Sequence, residues 1–383
     1  MIQKIKNVLI RIYTHICRIL FGYKNAVVFE SFSGKSYSDN PRATSEKLHE
    51  LHPDIKIVWF FKDPKAKQNL IPDYIKCIDT NNKFAVLKWL STAKCVVNNC
   101  GLSDVSKGKK QYFVQVWHGD RAFKKILHDS SFASQDFKLI EEKDGFCDLA
   151  VSGSKYGEMQ FRSAFRYKGE ILKVGIPRND ALINIDKDKI QSIKKNLGIN
   201  SSKKIILYAP TLRRENSNSK TLQKIQNIDL IRTLDALKKR TNNDWVFLIR
   251  SHPSISGLTC DFNDSRIIDA SSYEDMADLL LVSDFLITDY SSSAGDFALL
   301  HKPIILYQSD KNEYLKNDRT FYFNIEDSPY FVAENQEELE KLIGSVTDIE
   351  FEKNCDDILK FYDTYETGKA SEYLVEKIYN SMR

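Results

Sequence analysis

The chain has 383 residues, of which 42% are hydrophobic and 28% charged, and its formal net charge is only +4. These values are typical of a globular protein with two or three domains, and the small net charge excludes a polybasic nucleic-acid-binding protein. Because no segment holds about 18 uninterrupted apolar residues, we exclude a membrane-spanning helix, and no cleavable signal peptide is indicated.

The first predicted element is a helix within residues 1–24, which carry five basic residues and no acidic one. At 100° per residue, one face is apolar and another is basic. The apolar face holds Ile5, Val8, Leu9, Ile12, Ile16 and Ile19, and the basic face holds Lys4, Arg11 and Arg18. Such a helix can lie in the interface of an anionic membrane. The alternative is a helix that packs on the protein's own core and leaves its bases in water.

From residue 26 onward, short apolar runs alternate with amphipathic segments, which predicts alternating strands and helices. The predicted strands are 26–29, 55–61, 93–98, 112–117, 148–152, 171–175, 204–209, 245–250, 266–269, 285–288 and 303–307. Segments such as 43–51 and 83–90 are predicted helices. The alternation favours an α/β fold with two doubly wound parallel sheets.

We place the boundary between the two domains at residue 180. This gives an N-terminal domain of residues 25–180 and a C-terminal domain of residues 181–383, whose last helix can cross back to the first domain. The polar segment 216–224 is predicted to be a mobile loop. In doubly wound sheets, ligands bind beyond the carboxyl ends of the strands, and each candidate turn below follows a predicted strand.

A strand, a polar turn and a helix start follow one another in residues 284–301. The strand ends at Thr288 and Asp289, and three serines, residues 291–293, precede the helix. Because the first amides of a helix are unpaired and carry the positive end of its dipole, this turn can hold a phosphate or diphosphate. The alternative is that the serines only cap the helix.

A second candidate is Trp117-His118-Gly119-Asp120, at the end of the predicted strand 112–117. An imidazole at this place can accept a proton near neutral pH and act as a general base. The alternative is a structural histidine that bonds a loop carbonyl. Lys124 and Lys125 follow, either close to a phosphate or simply solvated.

Arg250-Ser251-His252-Pro253 is the second histidine motif and also follows a predicted strand. Arginine offers a planar fork for phosphate oxygens, and proline stiffens the turn that carries the histidine. The alternative is a charged loop residue paired with a local acid. Two further polar turns, one ending at Thr211 and one spanning residues 178–180, are also compatible with ordinary turn chemistry.

Other chemistries lack their motifs in this sequence. There is no dinucleotide fingerprint, no P-loop, no His-Glu-x-x-His and no nucleophile elbow. The seven cysteines contain no Cys-x-x-Cys pair, so reduced thiols are expected instead of a disulfide framework or a zinc site. We predict no cofactor, and the need for a divalent metal stays open.

Together these motifs resemble the CDP-glycerol glycerophosphotransferase family, whose members make teichoic acids and some capsular polymers. The resembling segments occur in the family's order: 28–41, Val116-Trp-His-Gly119 with Lys124 and Lys125, Gly175-Ile-Pro-Arg-Asn-Asp180, Ile206-Leu-Tyr-Ala-Pro-Thr211, Arg250-Ser-His-Pro253, 283–292 and Asp296-Phe-Ala298. The sequence departs from the family at residues 120–121, where Asp-Arg replaces the common Thr-Pro. It departs again at residues 212–214, where Leu-Arg-Arg replaces Trp-Arg-Asp.

The resemblance implies a GT-B architecture, in which two Rossmann-like domains face a central cleft and the second holds the donor. It implies that His118 is the catalytic base and that His252, a second catalytic residue, binds the donor diphosphate or stabilises its charge. Asp296 is expected near a donor hydroxyl. The candidate substrate-binding residues are Arg178, Asn179, Asp180, Thr211, Arg250, Thr288, Asp289, Ser291, Ser292, Asp296, Lys124 and Lys125.

The resemblance also implies the substrates and the location. The donor is CDP-glycerol or CDP-ribitol, with glycerol the first choice, and the acceptor is a lipid-linked saccharide or a growing polyol-phosphate chain. The N-terminal helix is expected to dock peripherally on the anionic cytoplasmic face of the cell membrane. One alternative is a GT-B glycosyltransferase that uses a nucleotide sugar. The other is a membrane-surface scaffold without activity.

Overall fold

The computed structural model describes residues 2–101, 107–130, 147–211, 227–251, 264–317 and 320–383. Within these ranges the chain forms two parallel β-sheets, one in each half of the sequence. None of the described helices combines the length and apolarity that crossing a bilayer requires. The six cysteines in these ranges are free thiols. The predicted loop 216–224, His252 and Cys260 lie outside the described residues.

The first sheet has seven strands in the order β3-β2-β1-β4-β5-β6-β7. They are β1 (Lys24–Glu30), β2 (Lys56–Phe61), β3 (Lys76–Asp79), β4 (Ala93–Asn98), β5 (Tyr112–Gln115), β6 (Leu149–Ser152) and β7 (Glu170–Lys173). Successive side chains of a strand point to opposite faces, so Val27 and Phe29 enter one apolar core while Ala26 and Val28 enter another. Both faces of the sheet are therefore buried, as is usual for parallel sheets.

Four of the described helices lie before residue 180. They are α1 (Ile2–Phe21), α2 (Asp39–Leu51), α3 (Lys83–Thr92) and α4 (Lys155–Ser163). Polar side chains fix where two of them begin, because the Asn82 side chain accepts from the third amide of α3 and the Ser154 hydroxyl accepts from the amide of Gly157 in α4.

The second sheet has six strands in the order β10-β9-β8-β11-β12-β13. They are β8 (Lys204–Ala209), β9 (Trp245–Ile249), β10 (Ile267–Asp269), β11 (Phe285–Thr288), β12 (Ile304–Tyr307) and β13 (Val332–Ala333). The described helices around them are α5 (Asp180–Ile183), α6 (Lys187–Asn196), α7 (Leu230–Thr241), α8 (Met276–Val282), α9 (Ser293–Phe297), α10 (Lys311–Asn317), α11 (Gln336–Ser345) and α12 (Asp348–Tyr362).

The last helix, α13 (Ala370–Ser381), returns to the first sheet. Its apolar side chains Leu374, Val375 and Ile378 are fully buried in the core that contains Val27. Asp180 fixes the start of this helix, because its carboxylate accepts from the amides of Ala370 and Ser371, each at 2.8 Å. The first domain therefore takes one of its layers from the end of the chain.

From residue 8 onward, where its side chains are described, helix α1 packs on α3 through one side. The Tyr13 hydroxyl donates to the carbonyl of Phe84 at 3.2 Å, and Arg18 donates to the carbonyl of Ser91 at 3.2 Å. Cys17, on the same side, is buried. The opposite side carries a stripe of exposed apolar residues, here called the outer stripe, which consists of Val8, Leu9, Ile12, Ile16, Ile19 and Leu20. The helix thus keeps its most apolar face away from the protein.

Candidate active site

The strand order of both sheets defines where a ligand can enter. The chain order reverses between β1 and β4 in the first sheet and between β8 and β11 in the second. Doubly wound sheets bind their ligands beyond the carboxyl ends of the strands at such reversals. The first reversal is bordered by Glu30 and Asn98, whose side chains are joined by a 2.7 Å hydrogen bond. The second is bordered by Thr211 and Asp289.

His118 follows β5, beside the first reversal. Its Nδ1 lies 2.8 Å from the carbonyl oxygen of Asn99, and its ring packs against Phe32 and Trp117 at centroid distances of 5.3 and 4.1 Å. A carbonyl only accepts hydrogen bonds, so Nδ1 carries the hydrogen and Nε2 keeps its lone pair. Burial lowers the pKa of His118, which leaves the imidazole neutral near pH 7.

The hydrogen bond to Asn99 is the one that the structural alternative for His118 expects. It occupies only Nδ1, however, and no other described residue hydrogen-bonds to Nε2. An imidazole held in this way can accept a proton at Nε2 without changing its orientation. The hydrogen bond from Nδ1 to Asn99 is therefore compatible with a role of His118 as a general base.

The segment of residues 31–40, a loop that leads into the first turn of α2, holds this histidine in place. The amide of Phe32 donates to Asn99 Oδ1 at 2.9 Å, and the Asn40 side chain donates to the carbonyls of Val116 and Trp117 at 2.8 and 3.0 Å. The loop also contains non-glycine residues with positive φ, among them Phe32 at 47°. Backbone conformations of this kind persist only where the surrounding structure fixes them, and they concentrate at functional sites.

On the second sheet, Asp289 organises the turn after β11. One of its oxygens accepts from the Thr211 amide at 2.9 Å, from the Thr211 hydroxyl at 2.5 Å and from the Tyr290 amide at 2.6 Å. Thr288 contributes differently, because its buried hydroxyl donates to the carbonyl of Ala209 at 2.7 Å. In this structure Thr288 and Asp289 thus shape the turn, and Thr211 is held beside it.

The serine turn itself is partly exposed. The hydroxyls of Ser291 and Ser293 lie 2.9 Å apart, whereas Ser292, at the N-cap position of α9, makes no capping hydrogen bond with its side chain. The capping alternative therefore does not account for Ser292. Ser291 and Ser292 are half-buried, whereas Ser293 is buried, and the Ser291 hydroxyl also accepts from the Ser293 amide at 3.3 Å.

Arg250 follows β9 and lies at the same edge of the second sheet. Its guanidinium donates to the carbonyl of Tyr273 and, at 3.4 Å, to that of Ala270. Burial lowers the pKa of Arg250. The alternative for Arg250 was an ion pair with a local acid. Among the described residues no carboxylate forms a direct ion pair with it, although Asp275 and Glu274 act on it electrostatically.

Arg178, Asn179 and Asp296 meet at the interface of the two domains. Arg178 donates to Asp296 Oδ2 at 2.7 Å and to Asp39 Oδ1 at 2.6 Å. Asp296 Oδ1 accepts from Asn179 at 3.1 Å and from Arg121 at 2.8 Å. Although burial opposes it, Arg178 and Arg121 hold the pKa of Asp296 below its ordinary value. Both carboxylate oxygens of Asp296 are therefore occupied by groups from the first domain.

Sequence reasoning missed the anchor of this network, Arg121, which is fully buried. Besides Asp296, it donates to Glu366 at 2.8 Å and to the Thr364 hydroxyl at 2.7 Å. Gly295 is required beside it, because a Cβ there would lie 2.6 Å from the arginine Cδ. The departure from the family pattern at residues 120–121 was the available signal, since a Thr-Pro pair supplies no guanidinium.

Asp120, the other departing residue, holds the turn after β6. Its carboxylate accepts from the hydroxyls of Ser152 and Ser154, each at 2.7 Å, and from the amide of Gly153 at 2.9 Å. Lys124 and Lys125 attach the following segment to the second domain through their backbones, because Lys124 pairs with Phe321 and the amide of Lys125 donates to Thr320.

The interface carries more carboxyl groups than guanidinium groups. Asp39, Asp296, Asp120 and Glu366 lie around two arginines, and Glu366 has a side chain that is only 1% exposed. Burial raises the pKa of Glu366 from 4.5 to about 7, against the opposing effect of Arg121. The carboxyl group of Glu366 therefore exchanges its proton near neutral pH.

This pKa gives a prediction for stability. The folded state holds the Glu366 proton more tightly than the unfolded chain, so Glu366 lowers the free energy of unfolding as the pH rises from about 4.5 to about 7. We expect Glu366→Gln to remove this contribution. Urea unfolding at a series of pH values measures it as a difference in slope between wild type and variant. Parallel curves across this pH window would contradict the assignment.

The comparisons with known proteins agree along nearly the whole chain. The family described as CDP-Glycerol:Poly(glycerophosphate) glycerophosphotransferase matches residues 12–380. A teichoic acid poly(glycerol phosphate) polymerase of Bacillus spizizenii is 33% identical over 401 residues, covering 98% of each protein. A protein of the same name from Staphylococcus epidermidis is 32% identical, but this chain spans only 51% of its length.

Among solved structures, a form of the wall teichoic acid polymerase TagF soaked with CDPG is similar over 100% of this chain and 96% of that one. The TM-score is 0.82 and the sequence identity 28%. This similarity confirms the predicted α/β fold of two parallel-sheet domains of GT-B type. It also confirms the predicted enzyme class and favours it over a glycosyltransferase that uses a nucleotide sugar. The chain belongs to the CDP-glycerol:poly(glycerophosphate) glycerophosphotransferase family.

Proposed function

We propose that this protein transfers glycerol phosphate from CDP-glycerol to a lipid-linked saccharide or to a growing glycerol-phosphate chain, with release of CMP. In this proposal residues 25–180 bind the acceptor, residues 181–383 bind the CDP-polyol, and residues 1–24 attach the protein to the cytoplasmic face of the membrane. Teichoic acid synthesis is the pathway that its relatives' names support.

One observation carries the proposal: the segment that follows His118 contacts α9, the helix after the serine turn, across the domain interface. Arg121 lies three residues after His118, and Asp296 lies five residues after Ser291. Their side chains are 2.8 Å apart. The segment that follows His118 and the helix that follows the serine turn are thus joined across the interface, and this supports transfer between an acceptor bound at one domain and a diphosphate bound at the other.

The chemical step follows from these positions. His118 Nε2 accepts the proton of an acceptor hydroxyl, and the oxygen attacks the β-phosphorus of CDP-glycerol. The bond between this phosphorus and the bridging oxygen breaks, and CMP leaves with the electron pair. Phosphoryl transfer needs positioning and neutralisation of the phosphate oxygens more than covalent help from the protein. We assign this neutralisation to Arg250, to His252 and to the turn of Ser291 and Ser292.

The test is an assay with purified protein, a synthetic lipid-linked primer and a panel of donors. CDP-glycerol is expected to release CMP, and mass spectrometry of the primer is expected to show added glycerol-phosphate units. CDP-ribitol and UDP-sugars are the comparison donors. A primer extended only from a UDP-sugar, or membrane binding without any CMP release, would overturn the proposal.

The outer stripe of α1 supports the membrane part of the proposal. Leu9, Ile19 and Leu20 are 60 to 69% exposed, although the helix is docked on α3 by its other side. A stripe of this kind buries its side chains at the boundary between headgroups and acyl chains, while nearby bases meet anionic lipid. In this proposal α1 brings the acceptor-binding domain next to the membrane that contains the lipid-linked acceptor.

We expect the double substitution Ile12→Gln and Ile19→Gln to weaken binding to anionic vesicles by roughly 10- to 100-fold, because two apolar side chains no longer enter the lipid. Vesicle co-sedimentation measures the change. Ile349→Gln in α12 is the matched control, because that isoleucine is 79% exposed but lies far from α1 in the chain. Equal binding of the double variant and the control would contradict the membrane assignment.

A further inference from the structure

A continuous series of hydrogen bonds links His118 to the helix that follows the serine turn. His118 Nδ1 donates to the backbone carbonyl of Asn99 at 2.8 Å, and the Asn99 side chain donates to Asp39 Oδ2 at 2.5 Å. Asp39 Oδ1 accepts from Arg178 at 2.6 Å, and the other arm of Arg178 donates to Asp296 at 2.7 Å. Asp296 belongs to α9, directly after the serines.

Asp39 occupies the middle of this series and is itself tightly held. It is 5% exposed, and its backbone amide donates to Asp275 Oδ2 of the second domain at 3.0 Å. Its φ of 65°, at the first residue of α2, lies in the left-handed region, as do those of Phe32 and Ser33 in the preceding loop. Such strain in a non-glycine residue is stable only where its side chain and backbone are both fixed.

Asn99 transmits this constraint to the histidine. Besides the bond to Asp39, its side chain accepts from the amide of Phe32 at 2.9 Å and lies 3.2 Å from the hydroxyl of Ser31. With the side chain fixed at three points, the Asn99 carbonyl has one direction in which to accept from His118. The orientation of the ring and the position of its Nδ1 hydrogen depend on that direction.

We propose that Asp39 is the positioning residue of His118. Through Asn99 it sets the tautomer and the orientation of the ring. Through Arg178 it sets the position of the ring relative to the serine turn. This inference rests on the proposed function, because it assigns the neutral ring a task as base. Asp39 touches no reacting atom in this scheme. Its loss is expected to slow the chemical step while donor binding is retained.

Asp39→Asn is the first test, since asparagine has the same shape and tolerates the left-handed conformation. We expect kcat to fall roughly 10- to 100-fold, because the residue that orients the catalytic base is lost. KM for CDP-glycerol is expected to stay within about twofold of wild type, because the donor is assigned to the second domain. Arg178→Lys keeps the charge but lacks the planar guanidinium that donates to Asp39 and Asp296 from two separate nitrogens. This variant is expected to lower kcat in the same way, and it replaces Asp39→Asn as the test if Asp39→Asn does not fold.

The pH profile separates positioning from a general loss of stability. The groups that face His118 are Asp39, Arg178 and the thiol of Cys100, which lies 3.9 Å from Nδ1. Asp39 favours the protonated ring and Arg178 disfavours it. Loss of the Asp39 charge is therefore expected to move the acid limb of kcat/KM to lower pH. The control is Asp278→Asn, which removes a buried carboxylate that pairs with Arg42. The acid limb of its kcat/KM profile is expected to stay at the wild-type pH.

Two further measurements complete the test. In a His118→Ala background, Asp39→Asn is expected to cause no additional loss of rate, because its effect requires the ring. In protein labelled with ¹⁵N-histidine, the ring-nitrogen signals of His118, assigned with His118→Ala, are expected to report an Nδ1-protonated ring in wild type. The Asp39→Asn variant is expected to show a mixture of tautomers.

Failure of this inference and failure of the proposed function give different results. If Asp39→Asn has a wild-type kcat, acid limb and ring-nitrogen signals, the positioning role is overturned, while CMP release by wild type still supports the function. If wild type releases no CMP, the function is wrong, and the ring-nitrogen signals alone decide whether Asp39 orients His118.

Discussion

Replacing His118 by alanine is expected to lower the rate of CMP release by roughly 10²- to 10⁴-fold. The variant loses an imidazole whose Nδ1 is fixed by the backbone carbonyl of Asn99 and whose Nε2 keeps its lone pair, beside the first reversal point. Binding of CDP-glycerol is expected to stay nearly unchanged, because the donor is assigned to the second domain. Steady-state CMP release and calorimetric donor titration measure the two quantities.

The matched control is His49→Ala. His49 lies in the last turn of α2 and stacks on Tyr74 with a centroid distance of 3.6 Å, so it has an aromatic neighbour but no part in the proposed site. We expect this control to keep the wild-type rate. An unaffected rate in His118→Ala, with the thermal midpoint of both variants close to wild type, would refute the base assignment.

The second large effect concerns stability. Asp296→Ala is expected to lower the free energy of unfolding by about 3–5 kcal/mol, because it leaves two buried arginines without their shared partner. Arg121 is fully buried and the side chain of Arg178 is 10% exposed, so water replaces little of the lost interaction. Urea unfolding followed by circular dichroism measures the difference.

Asp357→Ala is the control, because that carboxylate is 46% exposed and pairs only with the neighbouring Lys353 of α12 among the described residues. A change within about 0.5 kcal/mol is expected there. The sequence predicted that Asp296 lies near a donor hydroxyl. If Asp296→Ala instead keeps wild-type stability and raises KM for CDP-glycerol, donor contact is its main role and the interface role is wrong.

Most strands were predictable from the sequence because their apolar runs are bounded by polar residues. The predicted strands 93–98, 204–209 and 285–288 coincide with β4, β8 and β11. Two strands were not predicted, β3 and β13. Both lie at a sheet edge and are short, and β3 exposes its first and last residues, so neither forms the continuous apolar run that marks a buried strand.

The candidate site was only partly predictable, since each polar turn is visible in the sequence but its partners are not. The turn with Arg178 was predicted to bind substrate, yet its guanidinium meets Asp296, 118 residues away. Arg121 and Glu366 lie 245 residues apart. No periodicity or spacing encodes such pairs, because they arise only when two separately folded sheets are brought together.

The return of α13 to the first sheet has a consequence for how the protein is made. Chains of this length usually complete their domains in the order of synthesis, beginning at the amino terminus. Here the core around Val27 lacks Leu374, Val375 and Ile378 until α13 has left the ribosome. Helix α2 covers part of this sheet face through Leu48, but the rest stays uncovered until α13 is translated, some two hundred residues after the last strand of the first sheet.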